Sequence, residues 1–396
     1  MLQYLFGLLP VAATCGWWVG RRKFNKEASG RISFKMRRDY FKGLNYLINE
    51  QPDKAVDVFI KLLEVDSDTV ETHLALGSLF RRRGEVERAI RIHQNIIARP
   101  NLATQHRLQA LSELGQDYLR AGVLDRAERL FLELVELGER NQSSYRFLLS
   151  IYQQEKDWLK AIEIAQKLQG LGEPMGVIIA HYHCEIAEHL LEQADTADVH
   201  VHLKKAQSYN PSCVRASLIR ARIEFNDKNY KAAIQSYQKV INQDPEFLIE
   251  AVNPLIHCYR ELDAEDKMSV YFQDCLIRYP HLSLVLAISS YLKRSQSDEH
   301  AIEFIAEQVQ QKPSLPGLKC LVTSYLKKGH TADELNKFAV IDDLLSRLLV
   351  DAPNYRCGQC GFSSKSLFWL CPSCHKWETI KPIQSADIQS LRHLHA

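Results

Sequence analysis

Two pairs of cysteines near the C-terminus are the residues best suited to do chemistry in this chain. Cys357 and Cys360 form one C-x-x-C pair, and Cys371 and Cys374 form a second pair after ten intervening residues. Four thiolates with this spacing can surround one Zn²⁺ or Fe ion as a tetrahedron. Gly361, directly after the first pair, permits the unusual backbone angle that such a turn often needs. The sequence therefore predicts one tetrathiolate metal ion in a small module over residues 353–382.

So short a module cannot fold on apolar burial alone, so the metal must supply most of its stability. Four protein ligands leave no open coordination position, which argues against hydrolytic metal catalysis. We expect a structural role, in which the module caps the end of the preceding helical array. Its small core is predicted to contain five aromatic side chains, namely Tyr355, Phe362, Phe368, Trp369 and Trp377.

Other chemistries of the cysteines are weaker alternatives. Electron transfer at an iron tetrathiolate stays open. The stretch from Cys371 to His375 formally matches a c-type haem attachment motif, but the partner cysteine pair argues against haem. A zinc ribbon could also bind nucleic acid, yet Lys365, Lys376 and Lys381 are too few for a basic face.

The long segment before the module is built from a repeated unit, and its clearest copy is Val214–Phe247. Two short amphipathic helices are predicted there, one from Val214 to about Glu224 and one from Tyr230 to about Asn242. Small residues at Ala221 and Ala233 allow the helices to approach closely, and Pro245 closes the unit. This arrangement is typical of the tetratricopeptide repeat (TPR).

Further copies are expected, because one unit cannot bury its apolar face alone. Aligned on their small residues, units begin near Met36, Val70, Leu108, Gln142, Ala180, Val214, Ile249 and Leu282, at spacings of 34, 38, 34, 38, 34, 35 and 33 residues. The two longer spacings predict longer turns between repeats near 104–107 and 176–179. An irregular pair from about Leu318 to Val350 ends the array. We therefore predict an all-α TPR superhelical solenoid over residues 36–350.

The N-terminus predicts a membrane anchor over residues 1–20. Leu2 to Gly20 carries no charged side chain over nineteen residues, which just spans a bilayer core of about 30 Å. Trp17 and Trp18 suit the interface, and the basic juxtamembrane segment 21–35 places the following chain in the cytoplasm. A cleaved signal peptide, a lipidated Cys15 and a buried soluble helix are the alternatives. The first two are disfavoured because the charges follow the apolar run.

Charge and cysteine usage limit the partners and the compartment. The net charge of the chain is only +2, whereas residues 21–42 carry nine Lys or Arg against two acidic residues, a local net of +7. The basic excess therefore lies beside the predicted anchor and does not indicate nucleic acid. The other six cysteines are scattered on apolar helix faces, which predicts buried free thiols and a reducing compartment.

The repeats themselves show no catalytic constellation, so we predict a protein that is not an enzyme. A histidine-rich stretch on one helix resembles a metal site only by composition, because its residues point around the helix; its members are His181, His183, Cys184, Glu185, Glu188 and His189. Polar first-helix positions could line a partner-binding groove, although ordinary solvated charges have the same appearance; they include Glu71, Arg81, Arg82, Gln116 and Arg120.

Together, the anchor, the repeats and the module resemble the lipopolysaccharide assembly protein B family over essentially the whole chain. The module, with CGQCGF at 357–362 and CPSCH at 371–375, is rubredoxin-like. The resemblance implies that Cys357, Cys360, Cys371 and Cys374 are the ligands of one Fe or Zn ion. His375 departs from the glycine that rubredoxins usually have there, so its hydrogen bonds to sulfur could differ.

The resemblance also implies a function. Members of the family are single-pass inner-membrane proteins that restrain lipopolysaccharide synthesis. They are adaptors that promote degradation of the UDP-3-O-acyl-N-acetylglucosamine deacetylase by the membrane AAA protease FtsH, and they are linked to other lipopolysaccharide synthesis and transport proteins. A scaffold for those proteins is the alternative, and a rubredoxin-like electron carrier is a third. Residues 383–396 form a tail, either one short helix or disordered.

Overall fold

A computed structural model describes residues 70–137, 142–193, 196–327, 332–350 and 352–383, together with a few helical positions before residue 70. The predicted anchor, the basic segment, almost all of the repeat predicted from Met36 and the tail beyond Ile383 lie outside these residues. Within the described ranges, no helix combines the length and the apolar character that crossing a bilayer requires.

The chain divides into two compact units, Met1–Ile164 and Ala165–Ala396. The described part of the first unit consists of antiparallel helix pairs. Its helices are α1 (Val70–Arg82), α2 (Val86–Ile97), α3 (Thr104–Arg120), α4 (Leu124–Glu136) and α5 (Gln142–Glu155), followed by α6 (Trp158–Gly170), which spans the division.

The second unit continues the same helix–turn–helix pattern and then adds a small sheet. Its helices are α7 (Gly176–Glu192), α8 (Thr196–Tyr209), α9 (Val214–Asn226), α10 (Tyr230–Gln243), α11 (Leu248–Glu261), α12 (Glu265–Arg278), α13 (Leu282–Ser295), α14 (Asp298–Gln311), α15 (Leu315–Lys327) and α16 (Ala332–Val350). The described chain is thus a mostly helical TPR-like solenoid, as predicted.

The longer repeats differ from the prediction in where they place their extra residues. Residues 104–107 and 176–179 are not turns between repeats. They form the first turn of α3 and of α7, each of which has 17 residues. In α3 this extra turn is anchored to the neighbouring repeat, because His106 Nε2 lies 3.1 Å from Glu71 Oε1. In α7 it begins at Gly176, where an added Cβ would lie 2.9 Å from the carbonyl oxygen of Tyr209.

In five of the described helix pairs, the turn between the two helices uses one left-handed residue. Gly84 and Gly122 have φ angles of +83° and +75°, and later repeats place Lys156, Lys228 and Asp263 in the same region. The residue that follows donates its backbone N–H to the carbonyl five positions before it, at 2.8–2.9 Å in all five turns. This 6→1 bond is the usual end of a helix at a left-handed residue, so the turns are set by local backbone chemistry.

Small residues stand where the helices of a pair approach most closely, as the sequence predicts. A Cβ added at Gly77 would lie 2.4 Å from the His93 ring, and one added at Gly115 would lie 2.8 Å from the Phe131 ring. Ala221 of the repeat at 214–247 is fully buried in the same role. The predicted burial of the scattered cysteines also holds for Cys184, Cys213, Cys258 and Cys275, whereas Cys320 is partly exposed.

After α16 the chain forms a three-stranded antiparallel sheet that carries the cysteines. The strands are β1 (Tyr355–Cys357), β2 (Ser363–Ser364) and β3 (Ile380–Pro382), in the order β2–β1–β3. Arg356 pairs with Ser363 on one side and with Lys381 on the other. Cys357 is the last residue of the central strand β1, and the strand places it between the two cysteine turns.

Candidate metal centre

The four predicted cysteines converge on one point. The sulfur atoms of Cys357, Cys360, Cys371 and Cys374 all lie within 4.8 Å of one another. Cys357 Sγ is 3.8 Å from Cys374 Sγ, and Cys360 Sγ is 3.7 Å from Cys371 Sγ. A metal–sulfur bond of about 2.3 Å places the corners of a sulfur tetrahedron about 3.8 Å apart. The observed separations therefore fit one tetrahedrally coordinated ion.

Local hydrogen bonds favour the thiolate form, which a metal requires, at the first cysteine pair. Burial acts to raise the pKa of Cys357, but the Thr379 hydroxyl and the backbone N–H groups of Cys360 and Gln359 stabilise its thiolate and lower the pKa to about 6. The backbone N–H of Phe362 likewise lowers the pKa of Cys360. At Cys371, by contrast, burial outweighs two backbone N–H groups and raises the pKa to about 11, so this thiol must give up its proton when a metal binds.

Each cysteine pair is followed by a left-handed residue. Gly361 has a φ angle of +78° and donates its N–H to the carbonyl of Cys357 at 3.0 Å. His375 occupies the matching position of the second pair, with a φ angle of +52°, and donates to the carbonyl of Cys371 at 2.9 Å. The departure of His375 from glycine therefore leaves the turn and its hydrogen bond intact, at the expense of backbone strain.

The four thiolates would hold one metal ion and fill its coordination sphere. Sulfur suits both Zn²⁺ and Fe, and the donor set alone does not choose between them. Four sulfurs fill a tetrahedral coordination sphere and leave no position for a water or a substrate. The ion would therefore act by joining the two cysteine turns. The buried centre of the module is correspondingly small: Cys357, Cys371 and Ile380, with Tyr355, Phe362 and Leu367 packed around them.

The module does not cap the end of the array, contrary to our expectation. It lies against the first helices of the first three repeats in its own unit, namely α7, α9 and α11. These helices show the consequence, because Ile179–Cys184 and Val214–Ile219 are both unbroken runs of buried residues. A helix that packs on one side only buries a single stripe, so a second structure must cover the opposite face. The module is that structure.

Arg215 of α9 is the central residue of this contact, and it escaped the sequence analysis. Its side chain is buried, with Nη1 at 2.8 Å from Glu185 Oε1 and Nη2 at 2.5 Å from Glu188 Oε2. Its guanidinium carbon lies 5.8 Å from the Trp369 ring centroid and 6.0 Å from that of Trp377. Burial acts to lower the pKa of Arg215, but the two carboxylates outweigh it and raise the pKa.

The two tryptophans dock the module and do not form its core, which corrects the predicted aromatic cluster. Trp377 stacks on His181 of α7 with ring centroids 5.1 Å apart, and Trp369 stacks on Phe247 at 5.4 Å. Phe368, also assigned to that core, is 42% exposed. An indole buried against another element contributes to docking through area and ring geometry.

Polar contacts add to the docking at the sheet edge. Lys381 Nζ lies 3.0 Å from Asp244 Oδ2 and 2.6 Å from Glu246 Oε2, next to the turn that closes the repeat at 214–247. The Tyr355 hydroxyl donates to a carboxylate oxygen of Glu250 on α11. Lys381, one of the three lysines that are too few for a basic face, is thus paired with the solenoid.

The packing is not complete on the Trp369 side. A cavity of about 210 Å³ lies there, between the module and the first helices. It is lined by Glu188, Arg215, Leu218, Ile219, Arg222, Tyr237, Glu250, Pro254, Leu367 and Trp369.

The histidine-rich stretch of α7 contributes to docking and packing. Glu185 and Glu188 bind Arg215, and His181 stacks on Trp377. His183 faces away from the module, with Nδ1 at 3.1 Å from His202 Nδ1 of α8. Among the described residues, the cysteine set is the one group of three or more potential metal ligands that lies close enough to hold an ion.

Protein-family models match both the metal module and the repeats of this chain. The rubredoxin metal binding domain family matches residues 355–382. The tetratricopeptide repeat family matches residues 72–103 and 184–246.

Full-length relatives are also found. Lipopolysaccharide assembly protein B of Escherichia coli (strain K12) is 36% identical over 388 residues, covering 98% of this chain and 100% of that protein. The protein of the same name from Haemophilus influenzae is 34% identical over 400 residues, with the same coverage. Among solved structures, MamA from Desulfovibrio magneticus RS-1 overlaps 45% of this chain and 97% of its own at 18% identity, with a TM-score of 0.35. No functional inference follows from so partial an overlap.

Proposed function

Because the chain belongs to the lipopolysaccharide assembly protein B family, we propose that it acts in lipopolysaccharide assembly as a non-catalytic adaptor at the inner membrane. The single observation that carries this proposal is the likeness to relatives of that name from end to end. Those relatives match both the solenoid and the metal module. The likeness therefore extends over the whole architecture and is not limited to the tetratricopeptide repeats.

The structure is of a type that supports an adaptor role. Stacked helix pairs offer extended binding surfaces, and the metal centre is closed by four protein sulfurs. An ion held in this way would stabilise the module, and the module covers the first helices of three repeats in its unit. The described residues thus form a stable scaffold with exposed surfaces for partners, which is what an adaptor requires.

In its finer form, the proposal is that the protein brings the UDP-3-O-acyl-N-acetylglucosamine deacetylase to the membrane AAA protease FtsH and so limits lipopolysaccharide synthesis. The apolar segment at residues 2–20 would anchor the chain beside that protease. Confinement to one surface raises the effective concentration of the partners without adding any contact.

The test is the half-life of the deacetylase in cells that lack this protein, measured with and without active protease. We expect the half-life to be longer in cells that lack this protein than in cells that contain it. When the protease is inactive, the half-life should be the same in both strains. A variant without residues 1–20 should behave like the deletion, whereas one carrying an unrelated single-span helix should restore turnover. An unchanged half-life together with altered lipopolysaccharide would reject the adaptor in favour of a scaffold.

A further inference from the structure

The first helices of the amino-terminal unit border an open groove of about 660 Å³. Its lining comes from α1, α3 and α5, and it consists of Arg81, Arg82, Gln116, Leu119, Arg120, Phe147 and Gln154. The volume is in the range of sites that hold small ligands or a few residues of a peptide. Three arginines, two amides and two apolar side chains therefore face one space, and among the residues that the structure describes no acidic side chain lines it.

Arg81 is committed to the protein and forms a fixed part of the groove. Its Nη1 donates to Asp117 Oδ1 at 2.8 Å, and its Nη2 donates to Glu113 Oε2 at 2.7 Å. Asp117 is fully buried, and its other oxygen lies 2.5 Å from His93 Nδ1. His93 is itself held against Gly77, where no larger side chain fits. The two ion pairs of Arg81, together with the buried hydrogen bond between His93 and Asp117, fix the guanidinium in place and balance its charge.

Arg82 and Arg120 are different, because both are exposed and neither forms an ion pair within the described residues. They are the last residues of α1 and α3, two adjacent first helices. Two unpaired guanidinium groups on one groove attract a negative charge and can bind a carboxylate with paired hydrogen bonds. The electrostatic character of the groove is therefore selective for an acidic ligand.

The other lining groups favour a peptide over a bare anion. Gln116 Oε1 accepts from Arg81 and Gln154 Nε2 donates to Ser150, both at 3.3 Å, and each amide keeps further donors and acceptors for the backbone of an extended peptide. Leu119 and Phe147 present apolar surface to a neighbouring side chain. From this combination we propose that the groove binds an extended peptide segment whose carboxylate is held by Arg82 and Arg120. This inference rests on the proposed adaptor function only for the identity of the natural partner.

The test uses the full-length protein, purified in mild detergent, and an array of short peptides built from Glu, Gln, Leu and Ser in all orders. Glu and Gln have nearly the same shape, so the array isolates the charge. We expect Glu-containing peptides to bind about tenfold or more tightly than their Gln counterparts, and added salt to weaken them. Peptides printed with free and with amidated C-termini distinguish a side-chain carboxylate from a terminal one.

The variant R82Q/R120Q should lose the preference for Glu. The matched control is R88Q/R129Q, which removes the same charge from the exposed faces of α2 and α4, and it should retain the preference. Equal binding of Glu and Gln peptides by the wild type would overturn the proposal. So would retention of the preference by R82Q/R120Q, or binding to phosphatidylglycerol vesicles that depends on the two arginines while peptides do not bind.

The cellular arm keeps this inference separate from the adaptor proposal. In cells, R82Q/R120Q should lengthen the half-life of the deacetylase if the groove carries that partner. An unchanged half-life combined with lost peptide binding would overturn use of the groove in proteolysis while supporting its chemistry.

Discussion

Replacing Arg215 by alanine should release the metal module from the solenoid without releasing the metal. The substitution removes a buried guanidinium that lies within about 6 Å of two indole rings and forms ion pairs with two carboxylates. A desolvated cation–π contact contributes about 2 kcal/mol, and removing one partner of a buried ion pair costs about 3–5 kcal/mol. Glu185 and Glu188 are 27% and 34% exposed, so water will partly solvate them. We therefore expect a loss of about 2–4 kcal/mol of docking free energy.

The assay is a urea titration in which hydroxyl-radical footprinting reports the exposure of Trp377, only 8% of which is accessible in the docked state. The undocking midpoint should fall, and linear extrapolation converts the shift to free energy. Metal content in the same samples should equal that of the wild type, since the cysteines are untouched. R215K should be intermediate, because lysine keeps the charge and loses the planar fork.

The matched control is R294A. Arg294 binds Glu265 at 2.8 Å on the surface of α13, where its side chain is 43% exposed. Exposed pairs contribute about 0–1 kcal/mol, so this variant should undock at nearly the wild-type midpoint. The reasoning is refuted if R215A changes the docking free energy by less than about 1 kcal/mol, or if R294A changes it as much.

Three further predictions concern the module and its contact. Cys371→Ser should lose the metal and make the module sensitive to protease, because three sulfurs cannot close the site; unaltered metal content and resistance would contradict the assignment. His375→Gly should raise the stability of the metal-bound module by up to about 1 kcal/mol, because it relieves a φ angle of +52°, whereas Gly361→Ala should lower it; thermal unfolding of both variants measures the opposite signs. Burial lowers the pKa of His181, so the neutral ring stabilises the docked state at neutral pH and this stability declines as the pH falls below about 6.5. His181→Phe should keep the ring stacking and flatten the pH dependence of Trp377 footprinting, and an unchanged slope would exclude His181 as its source.

The cysteine site and the repeats could be predicted from the sequence because both depend on local patterns. Two C-x-x-C pairs bring their sulfurs together through turns of a few residues, and the measured separations agree with the expected tetrahedron. The helices at 214–247 follow from apolar periodicity and small residues at the crossing, and they begin where predicted, at Val214 and Tyr230. Extra residues in the longer repeats were misplaced, since spacing alone does not separate a longer turn from a longer helix.

The docking of the module was beyond the reach of sequence reasoning, because its partners are distant in the chain and ordinary in composition. From the sequence, Trp369 and Trp377 are predicted to be core residues of a small domain. His181 stands out only as a member of a histidine-rich stretch, and nothing marks Arg215. In the tertiary structure, the metal module covers a second face of α7 and α9. His181 and Arg215 are therefore buried and contact the module. Local chemistry thus determined which elements form and where a metal fits. Long-range packing determined which charged groups are shielded from water, and with that which of them bind the module and which stay open to a partner.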